Sequence, residues 1–409
     1  MNEILANISK RRVHPFPARM APAIAWEFLS CQRKKSLRVL DPMAGSGTAI
    51  VIAKLLGHQA FGFDTDPLAV LISNAWCTQV DCEVVHRAAE RVLETAKTQS
   101  RRLKLSEAYP RGSDGETQAF IRAWFDETNR RQLALLAAGI PKVRDVRVRN
   151  LLWCAFSRMI ITKNAGVSLG IDISHSRPHR VHERAPLQAF DHFTESARNV
   201  LKGLSLLQSP VEKNKTVVKL GDARALPLDD DTVDLVITSP PYLNAIDYLR
   251  GHKLSLVWMG HSLASIRRIR STNVGTERIL HQSASTDSTI QVMKSMGPIE
   301  ALPDKTKGMV ARYVCDMDQV LGEIGRVLVR NGHAVLVVGD SSIRGVFVRN
   351  SRALELIGMH HGLKVISRLH RQLPDNKRYL PPPAHRDSGD QLSNRMRSEV
   401  IITFHNCKK

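Results

Sequence analysis

Apolar residues follow two rhythms along this chain. Short continuous runs, such as Leu37–Leu40, His58–Phe63, Val233–Ile237 and Ala334–Val338, are bounded by Gly, Pro and Asp. They read as strands buried on both faces. Longer segments place apolar residues three and four apart: Ala23–Leu29, Ala49–Leu56, Leu68–Trp76, Met309–Val329 and Ser351–His361. These read as helices. Further short runs, Thr216–Leu220, Leu363–Leu369 and Glu399–Phe404, complete a strand set. Strand–helix alternation of this kind predicts an α/β fold on a largely parallel sheet.

Between residues 81 and 212 the pattern becomes helical only, over Val84–Leu103, Glu116–Leu136 and Pro186–Leu207. A parallel crossover needs only about a dozen residues, so this stretch is a helical insertion. The expected organisation is therefore an N-terminal arm and first half-core over 1–80, a basic insertion over 81–212, and a second half-core over 213–409. Residues 261–307 are polar and Ser/Thr-rich, and predict a mobile loop on the catalytic face.

Two turns carry the chemistry. The first follows the strand ending at Asp41, in Asp41-Pro42-Met43-Ala44-Gly45-Ser46-Gly47-Thr48. A Gly-x-Gly turn between strand and helix allows backbone to approach a ligand. Ile50 stands where a dinucleotide fingerprint has its third glycine, which argues against a pyrophosphate there. The next strand ends at Asp64, about where this architecture holds a ribose; Asp66 precedes Pro67 as a helix cap. The second turn is Thr238-Ser239-Pro240-Pro241-Tyr242. Two prolines cannot extend a strand, so the chain leaves the sheet at its carboxyl edge. The Ser239 hydroxyl and nearby carbonyls form an acceptor cluster suited to an amino group, and Tyr242 offers a face for a base.

Ser239-Pro240-Pro241-Tyr242 resembles motif IV of the S-adenosylmethionine-dependent amino-methyltransferases, the Ser form resembling the DNA cytosine-N4 branch. Asp41–Thr48 resembles motif I of the same family, with Met43 in place of the usual Phe. His14-Pro15-Phe16-Pro17-Ala18-Arg19-Met20 resembles motif X. The resemblance covers residues 10–76 and 214–404 and implies a Rossmann-like seven-stranded methyltransferase sheet, with S-adenosyl-L-methionine as cofactor. It implies that Asp41 attracts the cationic part of the cofactor, that the Gly45–Gly47 amides face its carboxylate, and that Phe16, Pro17, Pro42, Ala44 and Thr48 complete the cradle. Asp64 would hold the ribose and Asp222 the adenine amino group. On the target side, Ser239 and Pro240 would bond the reacting amino group, Pro241 would fix the corner, and Tyr242 would stack on a flipped base. Asn244, Asp247 and Tyr248 would position that base. Tyr379 is a further candidate for meeting it.

The net charge of +20 and pI of about 10.0 point to a polyanion partner. Double-stranded DNA is the first expectation, with Arg177 and Arg180 as phosphate contacts. Adenine-N6 methylation, an RNA amino-methyltransferase, and a non-catalytic nucleic-acid-binding protein stay open as alternatives, though the intact motif residues argue against the last. Six scattered cysteines without a CxxC pair read as reduced thiols. Three histidines at 175–182 lie among basic residues with no cysteine nearby, so no metal site is expected. No apolar run reaches membrane length and residues 1–12 show no apolar targeting core, so a cytoplasmic, nucleoid-associated protein with no membrane partner is expected.

Overall fold

The structure, a computed structural model, describes residues 13–16, 19–32, 36–160, 165–172, 178–204, 215–243, 247–275, 287–373 and 398–408, with the single residues 5, 8 and 162. The chain runs through α1 (Pro22–Ser30), β1 (Arg38–Asp41), α2 (Thr48–Leu55), β2 (Gln59–Asp64) and α3 (Pro67–Cys77). The insertion supplies α4 (Cys82–Ser100), α5 (Gly115–Trp124), α6 (Glu127–Gly139), α7 (Val146–Ile160), a small hairpin of β3 (Gly170–Ile171) with β4 (His179–Arg180), and α8 (Ala189–Leu204). The core resumes with β5 (Thr216–Leu220), β6 (Val233–Thr238), α9 (Leu249–Leu256), α10 (Leu263–Thr272), α11 (Asp287–Ser295), α12 (Asp304–Val327) and β7 (Leu328–Val338). A hairpin of β8 (Ser341–Ile343) with β9 (Val346–Val348), then α13 (Asn350–His360), β10 (Leu363–Gln372) and β11 (Ser398–Asn406), completes it.

Seven strands form one sheet in the order β10-β11-β7-β6-β1-β2-β5. β5, β2, β1, β6 and β7 are parallel, and β11 and β10 add an antiparallel edge. This is the seven-stranded Rossmann-like sheet that the motif resemblance implies. Side chains alternate across it, as strand geometry requires. Val39, Leu235, Val335 and Ile401 pack on one face, while Leu40, Val236, Leu336 and Ile402 pack on the other.

The insertion does not stand apart. Buried residues of α4–α8, among them Val85, Leu133, Leu152 and Phe193, join the same apolar cluster as Val39 and Leu235. It thickens one helical layer of the sandwich. The predicted helix over 116–136 is two helices, because Asp126 leaves helical geometry and accepts a hydrogen bond from the Asn129 amide as the cap of α6. Trp153 and Phe156 meet edge to face at 5.3 Å, and Phe156 is buried, so that pair belongs to the core.

Residues 261–307 depart from the expected loop. Their described part holds α10, α11 and a short turn at Ile299–Ala301. Ile266, Val292, Met296 and Ile299 are buried and anchor these pieces. Sparse apolar residues at helical spacing, diluted by Ser, Thr and Arg, read as loop by composition but fold as amphipathic helices.

The turn after β1 is shaped by two glycines with left-handed backbone, Gly45 at φ 49° and Gly47 at φ 78°. Gly47 also packs α2 against α3: a Cβ there would lie 2.8–2.9 Å from Ser73 atoms, backbone included. Gly47→Ala therefore meets both backbone strain and a collision. It should lower stability by about 2–3 kcal/mol, read as a lower midpoint in thermal or urea unfolding. Gly112→Ala, also at positive φ but with open space around it, should cost less.

Candidate active site

Because β1, β2, β5 and β6 run parallel, their carboxyl ends open on one edge, where α/β sheets bind ligands. A cavity at that edge is lined by Phe16, Asp41, Pro42, Ala44, Gly45, Thr48, Asp64 and Asp222 from the expected cofactor set, and by Ser239, Pro241, Tyr242, Asp247 and Tyr248 from the target set. The two turns thus share one space. Met20, Met43, Ser46, Thr65, Asp66, Arg270, Asn273, Val274 and Gly275 are also in the lining.

Asp41 joins the halves. Its Oδ1 accepts hydrogen bonds from the Thr238 hydroxyl at 2.7 Å and the Met43 amide at 3.2 Å. Burial pushes its carboxyl up to about 7; the Thr238 and Met43 bonds pull the other way, and Asp64's charge adds to the rise. Asp64 accepts the Gly45 amide on Oδ2 at 2.8 Å and the Asp66 amide on Oδ1 at 2.9 Å. Burial, then the Asp66 charge, raises it to about 6. Asp66 caps α3 by accepting the Leu68 amide, and its other oxygen meets Nδ1 of the buried His252.

Two expectations about the glycine turn change. The Gly45 amide is taken by Asp64, and the Gly47 amide donates to the Ala44 carbonyl at 2.7 Å. These amides hold the turn together instead of facing a ligand carboxylate, and Gly47 is absent from the cavity lining. Asp222 stands at the cavity, but both its oxygens are engaged by Arg224, at 3.0 Å from Nε and 2.7 Å from Nη2. Burial alone would raise Asp222; the Arg224 guanidinium and amide outweigh it and hold the carboxyl below its usual range.

Phe16 sits in the cavity wall and stacks on Tyr248, with ring centroids 5.4 Å apart. The arm that carries it is pinned by His14, whose Nε2 lies 2.9 Å from the Ser157 hydroxyl, and by Arg19, which donates to the Thr48 hydroxyl at 3.1 Å. The Ser239 hydroxyl donates to the Val337 carbonyl at 3.1 Å, so its lone pairs remain as acceptors. Pro240 is buried beneath the corner and outside the cavity lining. Asp247 is an ionic hub, paired with Arg250 at 3.1 Å and with Arg270. It holds the walls of the site together. Arg180 is exposed on β4, away from the cavity lining. Pro17, Asn244, Arg177 and Tyr379 lie outside the described residues.

The wall at 270–275 escaped motif reading. Arg224 and Arg312 donate to the Thr272 and Ser271 carbonyls at the end of α10, and the Gly275 amide donates to Asp316. The Thr65 hydroxyl donates to Asn273 at 2.8 Å. Apolar Leu263, Ile266 and Ile269 at helical spacing were the available signal for α10.

No protein-family model matches the chain. Among curated proteins it is similar to the type II methyltransferase M.MvaI of Kocuria varians, 21% identical over 417 aligned residues covering 97% of this chain and 90% of the relative. It is also similar to the type II methyltransferase M.BsoBI of Geobacillus stearothermophilus, 25% identical over 259 residues, 58% of this chain and 50% of the relative. A solved SAM-dependent methyltransferase of Methanosarcina mazei aligns over 93% of this chain and 98% of its own, at 7% identity and a TM-score of 0.34. The solved neighbours include S-adenosylmethionine-dependent methyltransferases, and S-adenosylmethionine is the cofactor of that class. The curated relatives are methyltransferases of the type II group.

Among the described residues no group of three His, Cys, Asp or Glu is arranged to hold a metal ion, and no helix is long and apolar enough to cross a membrane. The six cysteines are unpaired.

Asp41 titration gives a signed prediction. Its folded-state value is raised above the unfolded one, so the folded protein keeps a proton that the unfolded chain has lost. Stability therefore falls as pH rises from about 4 to about 7 and is level above, a burden of up to about 4 kcal/mol. Asp41→Asn retains an oxygen for both the Thr238 and Met43 bonds. It should unfold at a higher temperature than the wild type above pH 7 and lose that advantage near pH 4, while binding S-adenosylmethionine at least about tenfold more weakly. Thermal unfolding across pH with calorimetric titration of the cofactor checks both signs.

Proposed function

We propose that this chain methylates an exocyclic amino nitrogen of a DNA base flipped out of the duplex, with cytosine N4 as the target. The observation that carries the reading is the single cavity shared by Asp41, Gly45 and Asp64 on one side and Ser239, Pro241 and Tyr242 on the other.

The charge of the lining supports the cofactor. Asp41, Asp64, Asp66, Asp222 and Asp247 face Arg270, which is itself paired with Asp247. Such a surplus of carboxylates repels phosphates and suits a ligand bearing an ammonium and a sulfonium. When bound, S-adenosylmethionine supplies an electrophilic methyl group on sulfur. Asp41, with Oδ2 carrying no hydrogen bond among the described residues, takes the cationic part. Asp64 holds ribose hydroxyls on the lone pairs its two amide bonds leave, and Asp222 takes the adenine amino group in the same way.

The exocyclic nitrogen of a base is a poor nucleophile because its lone pair is spread into the ring. Ser239, with its own proton committed to Val337, accepts a hydrogen bond from that amino group, and a carbonyl of the same proline corner accepts the other. Both bonds would favour a pyramidal nitrogen with its lone pair available to the methyl; the nitrogen–methyl bond would form as the sulfur–methyl bond breaks, releasing S-adenosylhomocysteine, and the methylated nitrogen would lose its extra proton to water. Tyr242 gives the base a stacking face. An amino group inside a duplex cannot reach this recess, which requires flipping.

The basic surface supports the polyanion. Arg91 and Lys97 are exposed on α4, Arg101 and Arg102 in the turn just after it, and Arg180 on β4. The insertion is read as the phosphate-contacting element, which predicts an affinity falling steeply with salt.

Transfer of tritium from labelled cofactor to DNA, followed by nucleoside mass spectrometry, tests the reading. N4-methylcytosine is expected; N6-methyladenine would move the target to adenine, and label entering tRNA but not DNA would move it to RNA. Ser239→Ala should cut kcat by about a hundredfold or more, with cofactor affinity little changed. Full activity in Ser239→Ala and Tyr242→Ala together would contradict the mechanism.

A further inference from the structure

The Tyr242 hydroxyl donates to Glu399 Oε1 at 3.1 Å, across 157 positions of sequence. The other oxygen of Glu399 accepts from Arg371 Nη1 at 2.7 Å. Arg371 and Glu399 are direct register partners on the antiparallel pair β10 and β11. Side-chain exposure is 13% for Glu399 and 30% for Arg371, so this is a largely covered charge pair and not a mobile surface contact. Arg371 neutralises and orients the carboxylate, and leaves Oε1 free for the phenol.

The consequence falls on the ring. Tyr242 is fixed at its backbone end by Pro240 and Pro241, and at its far end by Glu399, while the ring lines the cavity. A ring held at both ends keeps one plane. A base stacked on it is then held in one orientation relative to Ser239. Burial, then the Glu399 charge, keeps the phenol well above its usual range, so the hydroxyl stays protonated and remains a donor.

Resting on the proposed base methylation, we propose that Glu399 is a positioning residue for methyl transfer, fixing the plane of the Tyr242 ring through its hydroxyl with Arg371 as its support. The terminal hairpin of the sheet then sets the target side of the site, although neither residue is part of a motif. Glu399 need not touch the base or the cofactor.

A double-mutant cycle with tritiated cofactor and DNA tests this, using Glu399→Ala, Glu399→Gln, Tyr242→Phe and the pair Glu399→Ala with Tyr242→Phe. Tyr242→Phe keeps the stacking face and loses the hydroxyl's bonds to Glu399 and to the Ser239 side chain, whereas Glu399→Ala removes the tether alone. Each of Glu399→Ala and Tyr242→Phe should lower kcat about ten- to a hundredfold, with cofactor binding unchanged by calorimetry. The pair should lose no more than either alone. Glu399→Gln, which keeps an acceptor for the phenol, should recover most of the rate and serves also if the alanine variant folds poorly. Wild-type rates in Tyr242→Phe, or losses that multiply in the pair, would overturn the inference and leave the methyltransferase reading intact. Absence of transfer to DNA by the wild-type protein would remove that reading itself.

Discussion

A hydrogen bond from the Thr238 hydroxyl to Asp41 ties the two chemical halves of this protein together. The strands that carry them are neighbours in the sheet, with Leu40 opposite Val236. Their ends must therefore emerge side by side, one turning through glycines and the other through prolines. Asp41 is buried at that junction and prefers its neutral form up to about pH 7. A buried carboxylate of this kind is a poor structural element. It gains its full value only when a cation comes to rest on it. On the proposed function, the stability given up here would be the counterpart of affinity for a positively charged ligand.

The wider charge distribution follows the same division. The chain carries a net charge of +20, yet its cavity is walled by aspartates. On the proposed function, a polyanion would be drawn to the surface and kept out of the recess, while a small cationic ligand would be drawn in. One protein can thus hold two partners of opposite charge a short distance apart without either occupying the other's place.

Much of this was legible in the chain itself. Asp41 to Thr48 and Thr238 to Tyr242 announce their turns through Gly and Pro, whose backbone limits are local properties. The sheet was legible for a similar reason, since its strands are continuous apolar runs. What escaped was non-local. Nothing near Gly45 says that its amide will be claimed by Asp64, nineteen positions on. Nothing near Gly47 says that Ser73 will press against it. The 270–275 wall was hidden because α10 takes its apolar anchors at wide spacing among serines and arginines. Glu399 was hidden because its partner, Tyr242, is brought to it by the closing of the sheet.

The central claim is that cofactor and target meet in this one cavity. A crystal structure of the protein with S-adenosylhomocysteine bound tests it most directly. The account predicts the ribose on Asp64, the amino group beside Asp41, and the sulfur facing the Ser239 hydroxyl with space between them for a base. A ligand bound elsewhere, or one in this cavity with its sulfur turned away from Ser239, would contradict it.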